Sequence, residues 1–227
     1  MTGEDVYEVL SARGGDKLYH ANSVKTSISL LKMGGLASRG AVEDKKYPQT
    51  SQISDNKDHE YEIWYDSFVD MHDIHSTLGR RNFYGPVLFV MDTSLLLSLP
   101  FGSTVQVTRC NPTNWEGLSN AERYFLTKRE LEDGLVVGSC DQMITIRSPN
   151  GIVPFNGSLE RIVLDEPRLN APDVGQEYQN AAGAISNAAA RANITVQVER
   201  RTCHACSCTN AYQDPQKPNR INYFFTP

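Results

Sequence analysis

An α+β fold is what this sequence predicts, and three observations carry it. Short alternating or apolar runs rich in β-branched residues recur along the chain, at 17–21, 84–92, 103–109 and 194–201 and in "DQMITIR" and "LERIVLD"; these are the patterns of half-buried and buried strands. In the second half, strands follow mainly strands, which separates α+β from a doubly wound parallel sheet. Neither GxGxxG nor GxxxxGK[ST] occurs, so neither usual phosphate-loop class is supported.

The elements follow in order. Residues 4–13 read as a helix ending at Gly14-Gly15. "KLYHA" (17–21) reads as a short strand. Asn22 or Ser23 can N-cap the next helix, because a side-chain oxygen accepts from free first-turn N–H groups. Ile28, Leu30, Leu31 and Met33 give that helix an apolar face, and Gly34-Gly35 stop it. Residues 40–60 are polar and aperiodic and read as one long loop, a kind that is often functional. "YEIWYDSFVDMHDIH" returns to alternation and aromatics. "YGPVLFVMD" (84–92) is a buried strand, "TSLLLSL" a helical turn or two, and "STVQVTR" (103–109) a strand. Residues 111–139 combine a Trp-bearing segment with a helix around "SNAERYFLTKREL". "DQMITIR" and "LERIVLD" are strands with turn-forming "SPNG" between them. Residues 173–193 are Ala-rich and helical, expected to pack on the sheet rather than to offer a partner face. "ITVQVERR" (194–201) is a last strand. Residues 1–200 form one domain on this reading, and 201–227 a Cys-rich tail packed on or near it.

Composition narrows the function classes. The net charge is -5, so a general basic affinity for nucleic acid is absent. Local clusters remain at 79–81, 127–130 and 199–201, each first of all a solvated face. No apolar run approaches the roughly 20 residues of a membrane helix, so no membrane partner is expected. "MTGEDVYEVLSARGG" carries acids and no apolar core; it does not read as a signal peptide, and the expected location is the cytoplasm. Five cysteines, an odd count, argue against a disulfide framework.

The N-terminal unit carries the first chemistry. A histidine at a strand end, a capped helix, a glycine break and Ser38-Arg39 make a small cleft. Free backbone N–H groups and Arg39 there could hold an anion. His20 read by itself is an ordinary structural histidine. Taken together, however, Tyr19-His20, Asn22, Ser27, Ile28-Ser29-Leu30-Leu31, Gly35-Leu36 and Ser38-Arg39 resemble the DarT-like branch of ADP-ribosyltransferases. "NFYGPVLFVMD" is similar to that family's later aromatic-rich strand. The resemblance covers the first 165 residues, with gaps, and its motifs are short.

The resemblance implies a split antiparallel sheet with flanking helices. It implies transfer of ADP-ribose from NAD, a substrate, to an acceptor, with release of nicotinamide. His20 would hold the nicotinamide side of NAD through ribose contacts, and Arg39 its phosphates. Asn22 and Ser38 would belong to the same site, and Tyr84 would stack from the cleft wall. The implied acceptor is DNA or RNA, and the implied setting a toxin–antitoxin or phage-defence system with an antitoxin partner; the acidic net charge keeps a protein acceptor open. Arg80, Arg81, Lys128 and Arg129 are candidates for contacts to a nucleic-acid backbone, from charge and loop position.

In that family a catalytic glutamate opens a strand after a long target-recognition loop. It hydrogen-bonds the ribose 2′-hydroxyl and favours the oxocarbenium-like charge that develops as nicotinamide leaves. Here the loop would be 111–139, and Gln142 falls where the glutamate is expected. An amide keeps the size but carries no negative charge and cannot act as a base. Gln142 is then a natural variant or an inactivating replacement, and Glu160, heading the next strand, is the second candidate. A plainer reading makes Gln142 an edge-strand polar residue and Glu160 a solvated one.

Two further clusters stand apart. "DMHDIH" places Asp70, His72, Asp73 and His75 close together, donors suited to zinc, manganese or iron. The rival function is therefore a metal-dependent nuclease or hydrolase using His72 and His75. Under the transferase reading the same segment lines the cleft or contacts substrate. "CHACSC" offers Cys203, Cys206, Cys208 and His204 to a structural zinc ion; otherwise it is a set of reduced thiols. A third function, outside enzymology, is a binding protein on a degenerate transferase fold with Gln142 natural.

Overall fold

A computed structural model describes residues 1–77, 84–168, 174–202, 212, 214, 216 and 219–227. Helix α1 (Gly3–Ala12) opens on a capping box between Thr2 and Asp5. Strand β1 (Lys17–Asn22) leads into α2 (Val24–Met33), whose N-cap is Ser23. Gly34 ends α2 at φ 73°, a left-handed conformation that glycine adopts without cost. Strand β2 (Gly35–Ala37), α3 (Arg39–Asp44), α4 (Asp55–Glu60), β3 (Ser67–Asp70) and α5 (Ile74–Thr77) follow. After β4 (Val87–Asp92) comes a 3-10 turn, Thr93–Leu97, then β5 (Thr104–Thr108) and a second such turn, Pro112–Asn114. The chain continues through α6 (Asn120–Arg123), β6 (Tyr124–Phe125), α7 (Lys128–Gly134), β7 (Met143–Arg147), β8 (Ile152–Pro154), β9 (Leu159–Asp165), α8 (Gln176–Arg191), β10 (Gln197–Arg201) and α9 (Arg220–Phe225).

The strands build an eight-stranded sheet in the order β10-β9-β4-β1-β3-β7-β5-β6, with β2 and β8 paired apart from it. Only β9 and β10 pair in parallel among the described strands. The α+β expectation therefore holds, with a mostly antiparallel sheet and helices against it. Strand β4 is central, and Val87, Leu88, Phe89, Val90 and Met91 are all buried. This explains its unbroken apolar run: each such side chain taken out of water contributes roughly 1.5–3 kcal/mol. Helix α8 buries Tyr178, Ala181, Ile185, Ala188 and Ala189, one helical stripe, chiefly against α2. Tyr212, Phe224 and Phe225 join the same core, so residues beyond 201 complete it. No described helix is long and apolar enough to cross a membrane.

Three expectations need correction. Residues 40–60 are not one loop, because α3 and α4 lie at its two ends. Ser38 caps α3 through its side chain, and Arg39 binds Asp55 at the start of α4 at 2.7 Å. The single helix around 119–131 is two helices with a strand between. Ser119 and Thr127 supply separate N-caps. Tyr124 and Phe125 gain burial by pairing with Thr108 and Val107, and tertiary burial overrides their helical surroundings. The segment between β7 and β9 is more than a turn, because it carries a further strand, β8. Strand β7 joins β3 and β5, β9 joins β4 and β10, and β8 leaves the segment between them to pair with β2.

Candidate active site in the cleft between β1 and β3

The sheet opens between β1 and β3. Strand β1 pairs with β4 over its whole length, Lys17 to Asn22. With β3 it shares one registered pair, Tyr19 with Asp70. Beyond that pair the two strands diverge, and a cavity enters between them. It is lined by His20, Ala21 and Asn22 from β1 and by Ser67, Phe68 and Asp70 from β3. Arg39, α4, Tyr84 and the turn at Asn111–Thr113 form the other walls.

His20 takes the position of the missing ladder bond. Its Nδ1 lies 2.6 Å from the Phe68 carbonyl oxygen. A carbonyl can only accept, so Nδ1 carries the proton and Nε2 is left as an acceptor. Burial pushes the imidazole down to about 4, against the opposing pull of the Phe68 carbonyl. The ring is neutral at pH 7 and offers one hydrogen-bond acceptor and no charge.

The start of α2 is held rigidly beside it. Ser23 Oγ accepts from Thr26 N at 3.3 Å and bonds Thr50 Oγ1 at 2.7 Å, while Thr50 N donates to Thr26 Oγ1 at 3.0 Å. Asn22 is buried and lines the cavity, yet among the described residues its Nδ2 has no partner. A buried amide left unpaired costs roughly 1–3 kcal/mol, so the site holds a donor in reserve. Gly85 runs so close that an added Cβ would lie 2.3 Å from the Asn22 backbone; only glycine lets the chain carry Tyr84 to the cavity here.

Arg39 reaches the cavity with its charge already matched. Its guanidinium donates to Thr50 O at 2.9 Å and to Asp55 Oδ2 at 2.7 Å and lies over Trp64, while its Nε is buried without a partner. Lys57 Nζ donates to Thr113 O at 3.0 Å and so ties α4 to the loop wall.

Three carboxylates line the same space. Asp66 is pushed up by burial, opposed by Arg147 2.5 Å away. Asp58 is pushed up to about 6 by burial, opposed by the Ser54 hydroxyl. Asp70 is pushed up to about 7, and burial alone does it. Tyr84 is raised to about 12 by burial, then by the charges of Asp70 and Asp58.

The cavity thus gathers His20, Asn22, Arg39 and Tyr84 of the residues singled out in the sequence. It does not gather the others. Ser38 is buried as the N-cap of α3 and accepts from Ala41 N at 3.2 Å; it orients Arg39 from behind. Gln142 is turned away. Its Oε1 accepts from Val136 N at 2.7 Å and its Nε2 donates to Gly134 O at 3.1 Å, which closes the C-terminal end of α7. The neighbouring Met143 lines the cavity instead. Glu160 pairs with Lys17 at 2.6 Å on β9, two strands from β1. Lys128 is bonded to Glu8, and Arg129 stands 4.0 Å from Asp133 on an exposed face. Arg80, Arg81, Cys203, His204, Cys206 and Cys208 lie outside the described residues.

The metal reading of "DMHDIH" finds no support. No group of three or more His, Cys, Asp or Glu placed to hold a metal occurs among the described residues. His75 is buried against Arg201 and Asp165, and Asp73 is paired with Arg201 at 2.8 Å. Of this stretch, expected to line the cleft under the transferase reading, Asp70 lines the cavity. Its signal was its place as the last residue of a strand next to the histidine strand.

The fold is similar to that of a solved structure, Thermus sp. 2.9 DarT in complex with ADP-ribosylated ssDNA. The TM-score is 0.50 at 13% sequence identity, and the match covers 83% of this chain and 95% of that one. The mostly antiparallel sheet with flanking helices is thus consistent with the fold of that DarT structure. No family model matches the chain, and no curated protein matches it in sequence.

Proposed function

We propose that this chain binds NAD in the cleft between β1 and β3 and transfers ADP-ribose from it to a nucleic acid. The observation that carries the reading is the split at Tyr19–Asp70, with a neutral, oriented His20 beyond it, in a fold similar to a protein solved with ADP-ribosylated ssDNA. The roles follow from donors and acceptors. His20 Nε2 accepts from a ribose hydroxyl. Asn22 Nδ2, buried and unpartnered among the described residues, donates to the same sugar or its phosphate. Arg39 Nε, the open edge of a charge-matched guanidinium, donates to the diphosphate. Tyr84 forms an aromatic wall.

The reaction breaks the bond from the sugar C1′ to the nicotinamide nitrogen, and the bonding pair leaves with neutral nicotinamide. A nucleophile on the acceptor forms the new bond at C1′ and gives up its proton. Such a transition state carries positive charge on the sugar and needs a matched negative group nearby. A single-stranded acceptor is held by base stacking together with a local positively charged groove, which a net charge of -5 permits. A role as a toxin with a cognate antitoxin belongs to the same proposal and rests on the family resemblance of the N-terminal motifs.

The test is incubation with NAD labelled in its adenylate half, in the presence of single-stranded DNA, RNA or protein extract. The expected result is label on a nucleic acid with release of nicotinamide. Label on protein alone would move the acceptor class, and no binding of NAD by calorimetry would remove the reading.

A further inference from the structure

We propose that Asp70 is the carboxylate that acts on the sugar in this cleft, in place of a group at position 142. The inference rests on the NAD reading above. Asp70 ends β3 at the one pair that joins it to β1, and it lines the cavity where the strands part. Met143 is its partner across β7. Its backbone pairs in the sheet, but among the described residues its side-chain carboxylate makes no hydrogen bond and no ion pair. The other acids at the cavity are committed: Asp66 to Arg147 and Asp58 to the Ser54 hydroxyl. Gln142 is committed too, by both ends of its amide, to the backbone of the segment after α7.

A partly buried carboxylate whose side chain has no partner is costly to keep, and function is where such groups persist. Its ionised form would face the charge that builds on the sugar as the bond to nicotinamide breaks. It would then take the proton that the acceptor loses as the new C1′ bond forms, and pass it to solvent. The charged and titratable groups around it are Tyr19 and His20 on β1, Arg39 on α3, Lys57 and Asp58 on α4, Asp66 before β3 and Tyr84 before β4. Of these, His20 is neutral, and Arg39 and Lys57 are engaged elsewhere. The environment holds the carboxyl near 7, where a general base is effective at neutral pH.

The experiment compares wild-type protein, Asp70→Asn and Gln142→Glu. Each is measured for NAD affinity by calorimetry, for transfer of labelled ADP-ribose to single-stranded DNA and RNA from pH 5 to 9, and for melting temperature. The inference expects Asp70→Asn to bind NAD with little change, to melt no lower than wild type, and to lose transfer by about 100-fold or more. It expects the wild-type rate to rise with pH through about 7 and that rise to vanish in Asp70→Asn. Equal transfer by Asp70→Asn and wild type would overturn it. So would a wild-type protein that binds NAD yet transfers nothing, and transfer gained by Gln142→Glu would then put the carboxylate at 142. Failure of NAD to bind any of the three overturns the NAD reading itself, and the calorimetric arm distinguishes that failure from the others.

Discussion

Asp165 and Asp70 each end a strand, β9 and β3, the first fully buried and the second partly, and their surroundings are opposite. Asp165 receives Arg201 Nε at 2.6 Å, the Tyr212 hydroxyl at 2.9 Å and His75 Nδ1 at 3.3 Å. Burial by itself would push its carboxyl up; His75 and Arg201 outweigh that and hold it below the usual carboxylate range. Asp70 has burial and nothing to offset it. The comparison separates two uses of a buried charge. One is wired to three elements and holds β9, β10 and residues near 75 and 212 together. The other is left open at a cavity, where only a ligand or a proton can complete it.

The contrast can be broken in four ways, in falling order of effect. Asp70→Asn should cost about 100-fold or more in transfer to nucleic acid, measured with labelled NAD, while Asp165 variants that still fold should lose activity only in proportion to folded protein. Asp165→Ala should cost about 3–5 kcal/mol of stability, because it removes the buried carboxylate that Arg201, His75 and the Tyr212 hydroxyl share; urea unfolding followed by circular dichroism measures this. Gln142→Glu should cost about 1–3 kcal/mol, since a carboxylate cannot donate to Gly134 O, and it should gain no transfer. Finally, the pH dependence of stability should have opposite signs at the two aspartates. The Asp165 contribution is present above the unfolded value near 3.8 and is lost as pH falls below it. The Asp70 carboxyl is higher in the folded state, so its ionisation burdens the fold above about 7 and the burden eases as pH falls toward 4. Asp70→Asn should therefore be more stable than wild type at pH 8, by a margin that shrinks toward pH 4.

Much of the frame was legible in the sequence because its signals are local. Ser23 caps α2 as its side chain and position dictate, Gly34 stops it in the left-handed region, and 87–92 form the central buried strand. His20, Asn22, Arg39 and Tyr84 do meet at one cavity. The carboxylate proposed for the cleft was not legible, for a reason of register. Side chains alternate along a strand, so a one-residue difference exchanges the cleft for the opposite side. Met143 faces the cavity, and Gln142 caps the segment behind it. Nor could the isolation of Asp70 be read from "DMHDIH", where four good ligands stand together. Tertiary pairing sorts them: Asp73 and His75 go to Arg201, and Asp70 goes to the split between β1 and β3.

The most direct measurement is a carbon-13 NMR titration of the aspartate carboxyls, repeated with saturating NAD and assigned with Asp70→Asn. One resonance, absent in that variant, should titrate near 7 and move when NAD is added, while that of Asp165 stays ionised and unmoved. An Asp70 resonance that titrates in the ordinary carboxylate range, or that ignores NAD, would contradict the assignment of this cleft and of its open carboxylate.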